Sequence, residues 1–164
     1  MKWIKKGLIY KAGNKWDWSV THTQVPVAEL LENDKIRIYF ATRDKNNVSR
    51  ISYVEVNAEN PRDVLYVHDN PVFNIGEMGT FDDCGVMPSC IINQNNKKYM
   101  TYIGWTVRNT VPYHNSIGLA VSEDGGKCFS RVCQGPILTS NQTEPYFCGT
   151  SNILIEKGLW RMWY

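Results

Sequence analysis

Along this chain apolar residues tend to recur at every second position, in short runs cut off by Gly, Asn, Asp and Pro. That period belongs to strands with one buried face, and it predicts an almost wholly β protein. Only "PVAELLEND" (26–34) offers a short helical candidate.

The runs also repeat. "KIRIYFAT" (35–42), "KYMTYIGW" (98–105) and "LWRMWY" (159–164) share an alternating, Tyr-containing pattern. Each follows a shorter run, "VPVAELL" (25–31), "MPSCII" (87–92) and "GTSNILI" (149–155), across the polar turns "END", "NQNNK" and "EKG". Downstream, "ISYVEV" (51–56) answers "IGLAVS" (117–122), and "DNPVF" (69–73) answers "QGPIL" (134–138). A period of about 60–65 residues fits a repeated antiparallel unit better than one long meander. Four strands running from an inner to an outer position make the blade of a β-propeller. The predicted blades cover about 20–75 and about 83–140, with a third beginning at about 144–164. That is about two and a half blades, fewer than a closed propeller needs, so the N-terminal part of a longer protein is expected.

The turn "SEDGGKCF" (122–129) fits Ser-x-Asp-x-Gly-x-x-aromatic, the Asp-box of propeller hairpins. There Asp124 should bond turn amides, the glycines should take positive φ, and Phe129 should pack below. It marks the fold and supplies no catalyst.

Composition narrows the function. The 164 residues are 43% hydrophobic and 12% aromatic, with six Trp and nine Tyr, which suits a β-rich core or a stacking surface. A net charge of +2 with no basic run gives no reason to expect nucleic acid. "MKWIKKGLIYKAG" lacks the apolar core and cleavage site of a signal peptide, and no stretch is long enough to span a bilayer. The cysteines (Cys84, Cys90, Cys128, Cys133, Cys148) are odd in number and lack zinc-site spacing. A reduced, cytoplasmic protein without cofactor or metal is expected, the sequons at Asn47 and Asn141 carrying little weight without a secretory signal. No Asp-rich loop of the kind that binds Ca²⁺ is present. Oligomeric state leaves no mark in the sequence.

Blade geometry then sorts the polar residues. The start of each inner strand, the loop between strands two and three, and the loop into the next blade share one face of the channel. "WDWSVTHTQ", "TFDDCG" and "QTEPYFC" precede the three inner strands, and Asp82/Asp83 and Glu144 lie about 62 residues apart, one repeat. Carboxylates from adjacent blades should converge on the axis, where two of them can serve as acid and base or nucleophile in glycoside hydrolysis. Crowding of like charges would raise one pKa, as an acid requires. Blade one offers Thr21, His22 and Gln24 at that height. The same mouth receives Arg43, Asp44, Asn46, Asn47 and Arg50, then Trp105, Arg108, Tyr113 and His114, with Trp16 and Trp18 as further stacking candidates. Polar groups beside aromatic rings suit a sugar, whose hydroxyls need partners and whose C–H faces need cover. The plainer readings are that Asp82 and Asp83 cap a turn, Glu144 is a loop carboxylate, His22 is structural, and Arg43 pairs with a neighbouring acid.

"HTQVP", "RIYFATRD", "GTFDDCGVMPSC", "YIGW", "VPYHNSIGLAVSEDGG" and "EPYFCG" resemble bacterial proteins related to the five-bladed propeller glycosidases. That clan holds the arabinanase/xylosidase and invertase types, and the chain is most similar to uncharacterised members found with surface-polysaccharide genes. The resemblance covers almost the whole chain. It implies an all-β, five-bladed propeller, here truncated, and three acids on the first three blades: an Asp base or nucleophile, a second Asp, and a Glu general acid. The second and third fall on Asp83 (or Asp82) and Glu144, the latter followed by Pro145 as in the family's acid motif. The first has no clean match, since His22 stands near its place and Asp17 lies earlier. The reading is therefore a glycoside hydrolase-like protein, with Asp83, Glu144 and His22 as catalytic candidates. Asp82, Gln24, Arg43, Arg108, Trp105, Tyr113, His114 and Trp18 would hold the carbohydrate. The alternative is a non-catalytic carbohydrate-binding propeller in surface-polysaccharide assembly.

Overall fold

The computed structural model describes residues 2–164, and these form ten β-strands and no α-helix. Strands β1 (Thr21–Leu31), β2 (Lys35–Arg43), β3 (Ser49–Asn57) and β4 (Val64–Val67) pair in sequence as one antiparallel sheet. Strands β5 (Gly85–Gln94), β6 (Lys97–Thr106), β7 (His114–Ser122) and β8 (Ser130–Arg131) repeat the arrangement. A hairpin of β9 (Asn152–Glu156) and β10 (Leu159–Trp163) begins a third unit. One parallel bridge, Ser49 to Gly85, links the first two units, and the sheets do not close on themselves. None of the described residues forms a helix long and apolar enough to cross a membrane.

The segment "PVAELLEND" is not helical. Its residues 26–31 lie in β1, where Val27 to Leu31 pair one for one with Tyr39 to Lys35. Local preference loses here to cross-strand pairing with a neighbour whose own pattern is strongly β. The turn helps: Asn33 and Asp34 both take positive φ, as do Asn95 and Asn96 in the next hairpin, and Lys157 and Gly158 in the third. Two successive residues at positive φ give the twist that lets a short loop close a hairpin.

The repeat is visible in the hydrogen bonds. Ile51 N–H donates to Phe73 O (3.1 Å) and Val72 N–H to Ile51 O (2.8 Å). Ile117 N–H donates to Leu138 O (2.9 Å) and Ile137 N–H to Ile117 O (2.8 Å), the same pattern one unit on.

Alternation along β2 sends its side chains to two apolar clusters. Tyr39 joins Ile51, Tyr53, Val72 and Phe73 against Val86, Met100, Tyr102, Ala120 and Phe129 of the second unit. Ile36, Ile38 and Phe40 face the other way, onto Val54, Val56 and the N-terminal Ile9 and Tyr10. Both faces of this strand are therefore covered, and the first cluster joins the two units.

The Asp-box turn fastens that joint. Asp124 Oδ1 accepts the Lys127 and Cys128 N–H groups (2.9 and 3.0 Å) and the Ser122 hydroxyl (2.7 Å). Phe129 is buried beneath, edge-on to Tyr39 at 5.9 Å. From the first unit Arg37 Nη1 donates to Gly125 O (2.6 Å) and Tyr39 Oη to Gly126 O (3.2 Å). Gly125 and Gly126 hold φ of +77° and +87°. A methyl on Gly126 would collide with the Tyr39 hydroxyl, whereas Gly125 has open space. We expect Gly126→Ala to cost about 1–3 kcal/mol in urea unfolding. Gly125→Ala should cost less, since it adds backbone strain without a collision. Equal losses would show that the collision adds nothing.

Candidate functional site

The first strands of the three units lie side by side, β1 against β5 and β5 against β9, and residues one repeat apart touch there. Gln24 Nε2 reaches Met87 Sδ at 3.5 Å across 63 positions, and Asn93 Nδ2 donates to Glu29 Oε1 at 2.8 Å across 64. Ser89 Oγ accepts Ser151 N–H at 2.6 Å across 62, and Cys90 Sγ lies 3.5 Å from Asn152 Oδ1, also across 62. Equivalent positions of successive units are thus neighbours across their first strands.

At the mouth, β1 is bent. Register shifts separate Thr21 from Gln24 and Gln24 from Val27, and His22 and Val25 take φ of +61° and +51°. Positive φ at a β-branched residue stores about 1–3 kcal/mol. The bends accompany Gln24 and Val25 into the lining of a cavity of about 410 Å³, with Arg43, Met87, Trp105, Pro112, Tyr113 and Asn115. That volume lies in the range of small-ligand pockets.

The walls of this cavity are held in place. Trp105 Nε1 donates to Ser49 Oγ (2.9 Å), which donates in turn to Val86 O (3.1 Å). A Cβ on Gly85 would overlap both the indole and the Ser49 hydroxyl, so glycine makes room for the ring. The Arg43 guanidinium lies 5.6 Å from the Trp105 ring centre. Two polar atoms here are buried without a hydrogen-bond partner: Arg43 Nε and Asn115 Oδ1.

Alternation along β7 separates a second cavity. Tyr113 and Asn115 line the first, while His114 and Ser116 line another of about 400 Å³, with Thr80, Phe81, Asp83, Thr106 and Arg108. Asp83 Oδ2 accepts Gly79 N–H at 3.0 Å, while Oδ1 is buried and accepts no hydrogen bond of normal geometry. Burial pushes the Asp83 carboxyl pKa up, but the Gly79 amide, the Cys84 thiol and the Thr106 hydroxyl outweigh it and leave a net lowering. Asp83 is thus a committed carboxylate. His114 shifts down, through burial first and the Arg108 charge second, which favours neutral imidazole.

Asp82 departs from expectation. It is 0% exposed, so no substrate reaches it. Its Oδ2 accepts Arg131 Nε (2.9 Å), Arg131 Nη2 (2.6 Å) and Tyr102 Oη (3.1 Å), and its Oδ1 accepts the Thr80 hydroxyl (2.9 Å). Asp82 is an interior ion-pair residue that fixes the loop carrying Asp83.

The remaining candidates lie apart. Glu144 is exposed; the Tyr164 hydroxyl is 3.2 Å from both its oxygens, and it lines neither cavity. His22 is exposed, with Nδ1 2.8 Å from Thr21 Oγ1. Trp18 stacks on Trp16 at 5.3 Å and lines a third cavity beside Asp44, Asn46 and Arg50. Asp44 is engaged there by Arg50 at 2.9 Å and by the Asn46 and Val48 N–H groups. The loop after Glu144 does approach the mouth: Cys148 N–H donates to Asn115 O (3.3 Å), and the Phe147 ring lies 5.8 Å from Tyr113.

The mouth cavity therefore gathers Gln24, Arg43, Trp105 and Tyr113, and the second gathers Asp83, Arg108 and His114. Sequence reasoning missed Asn115 and Met87. Asn115 was within reach, because it stands two positions after Tyr113, where a strand's alternation returns to the same side. Among the described residues no group of three or more His, Cys, Asp or Glu could hold a metal ion, and all five cysteines are free.

No family model matches the chain. It is 35% identical over all 164 residues to an uncharacterised protein of Mycobacterium tuberculosis, found in strains CDC 1551 and H37Rv, and covers 54% of that protein. The chain thus spans about half the length of the curated relatives it matches. Among solved structures it is similar to a family 117 glycoside hydrolase of the marine bacterium Zobellia galactanivorans (TM-score 0.64, 16% identity, 95% of this chain and 46% of that one). It is also similar to a glycosyl hydrolase from Bacteroides ovatus (TM-score 0.61, 18% identity, 83% and 38%). A thermostable family-43 glycoside hydrolase follows (TM-score 0.57, 15% identity, 84% and 56%). At these identities the shared property is the fold: an open, all-β, propeller-like array of the glycoside hydrolase kind.

Proposed function

We propose that the chain supplies the first two blades and the opening hairpin of a third in a five-bladed, carbohydrate-active propeller of glycosidase type. A saccharide binds in the mouth cavity, with Trp105 and Tyr113 against its C–H faces and Gln24, Arg43 and Asn115 at its polar groups. For cleavage the saccharide would have to extend out of the mouth cavity to Asp83 in the second cavity and to Glu144 on the loop beyond, which supply the carboxylates, Asp83 as the ionised partner. The mouth cavity carries this reading. It lies between β1 and β5, joins aromatic walls to polar side chains, and holds two buried polar atoms with no protein partner. Such atoms are costly unless a ligand completes them.

A second reading, a non-catalytic carbohydrate-binding propeller, draws support from one observation: no carboxylate lines the mouth cavity. Calorimetric titration of the full-length protein with a panel of neutral and acidic saccharides tests the shared part. Trp105→Ala should weaken binding by about tenfold, given the stacking contribution of an aromatic wall. An unchanged affinity would remove this cavity from the reading. Product detected in the same mixtures favours the hydrolase, and binding without product after long incubation favours the module.

A further inference from the structure

We infer that the saccharide of the mouth cavity carries a carboxylate on the ring bound there, and that Arg43 selects it; this rests on the carbohydrate reading above. Four arginines lie less than fully exposed: Arg37, Arg43, Arg50 and Arg131. Three have acids in contact. Arg37 pairs with Glu55 at 2.7 Å, Arg50 with Asp44 at 2.9 Å, and Arg131 with Asp82 at 2.6 Å. Among the described residues Arg43 has no such partner, and its Nε is buried with no acceptor. A partly desolvated guanidinium without a counter-ion is unfavourable on its own, and a carboxylate supplied from outside relieves it.

The geometry favours a planar anion. Arg43 rests near the Trp105 indole, whose own N–H is engaged by Ser49, so the ring beside the guanidinium is fixed before any ligand arrives. The planar guanidinium offers pairs of parallel donors, which match the two oxygens of a carboxylate. Asn115 Oδ1, the other unpartnered atom, needs a donor, which a sugar hydroxyl provides. The cavity supplies no acid of its own to repel the anion. Acceptor demand at Arg43, donor demand at Asn115 and apolar walls at Trp105, Tyr113 and Met87 together describe a uronic acid-type sugar.

The test is calorimetry on the full-length protein with glucuronate and galacturonate, their neutral counterparts glucose and galactose, and galactose 6-sulfate and glucose 6-phosphate. The uronates should bind at least about tenfold more tightly than the neutral sugars, a preference that weakens as salt rises. Arg43→Gln should erase that preference, lowering uronate affinity at least about tenfold more than it lowers neutral-sugar affinity. Because the wild-type charge has no partner, this variant should melt no lower than the parent. Arg43→Lys should keep only part of the preference, having lost the fork. Neutral sugars bound as tightly as uronates would overturn the carboxylate and leave the carbohydrate reading standing. Sulfated or phosphorylated sugars bound as tightly as uronates would overturn the planar fork in favour of a general anion site. If no sugar in the panel binds, both readings fall together.

Discussion

Replacing Asp82 by alanine should destabilise the protein by about 3–5 kcal/mol, the scale for breaking a buried ion pair from one side. The carboxylate is fully enclosed, and Arg131, which it meets through two nitrogens, is only 15% exposed in its side chain. The arginine also lies over the Phe73 ring at 4.5 Å and donates to Asn74 O at 2.8 Å, so it cannot swing freely into water when the acid is removed. Tyr102 loses its acceptor at the same time. Burial first and the Asp82 charge second push the Tyr102 hydroxyl pKa up, so it remains a protonated donor in need of a partner. Urea unfolding of Asp82→Ala, with Asp83→Ala beside it, separates the two neighbours, because Asp83 carries one backbone bond and lines a cavity. A loss below about 1 kcal/mol at Asp82 would mean that solvent or a rearranged loop replaces the pair.

That contrast also marks how far the sequence could be read. The repeat, the four-strand order and the Asp-box follow from alternation and turn chemistry, which are local and survive in a single sequence. Ile51 and Ile117 repeat each other's backbone bonds because their runs obey the same pattern. The pair Asp82 and Asp83 was harder. Both precede the same inner strand, and only the fold reveals that Arg131, 49 positions away, claims the first. Nothing local to "TFDDCG" announces that partner. Mouth residues named by height alone were likewise divided between cavities, because one step along β7 moves a side chain to the opposite face of the sheet. Thus Tyr113 and His114, adjacent in sequence, line different spaces. "PVAELLEND" failed for a third reason: its helical preference is real but weak beside a full register of pairs with β2.

The largest effects on activity are expected at Asp83 and Glu144. If the protein cleaves glycosidic bonds, Asp83→Asn and Glu144→Gln should each lower kcat by about 10²–10⁴-fold, the contribution of a positioned acid or base. Their chemistry differs. The amide, thiol and hydroxyl around Asp83 favour its charged form, which suits it poorly to protonating a leaving oxygen near neutrality. In the proposed reaction it suits base, nucleophile or charge stabiliser, and the acid role is proposed for Glu144, whose loop is tied to the mouth through Cys148 and Asn115. The pH profile carries the sign of this assignment. Activity needs Asp83 deprotonated, so the acidic limb of kcat/KM should lie below the ordinary carboxylate range, with loss only as pH falls through that lowered value. An acidic limb above that range would contradict the role given to Asp83. Turnover unchanged in both variants would remove these carboxylates from the chemistry altogether. Binding without product in the parent would leave the protein as a carbohydrate-binding propeller. Where turnover is found, the separation of the two carboxylates in a substrate complex bears on stereochemistry: about 5–5.5 Å for retention, about 6.5–9.5 Å for inversion. Glu144 lines neither cavity and is held by the Tyr164 hydroxyl, so a productive complex requires that bond to yield to substrate. Tyr164→Phe should therefore leave kcat near the parent value, whereas Glu144→Gln should not.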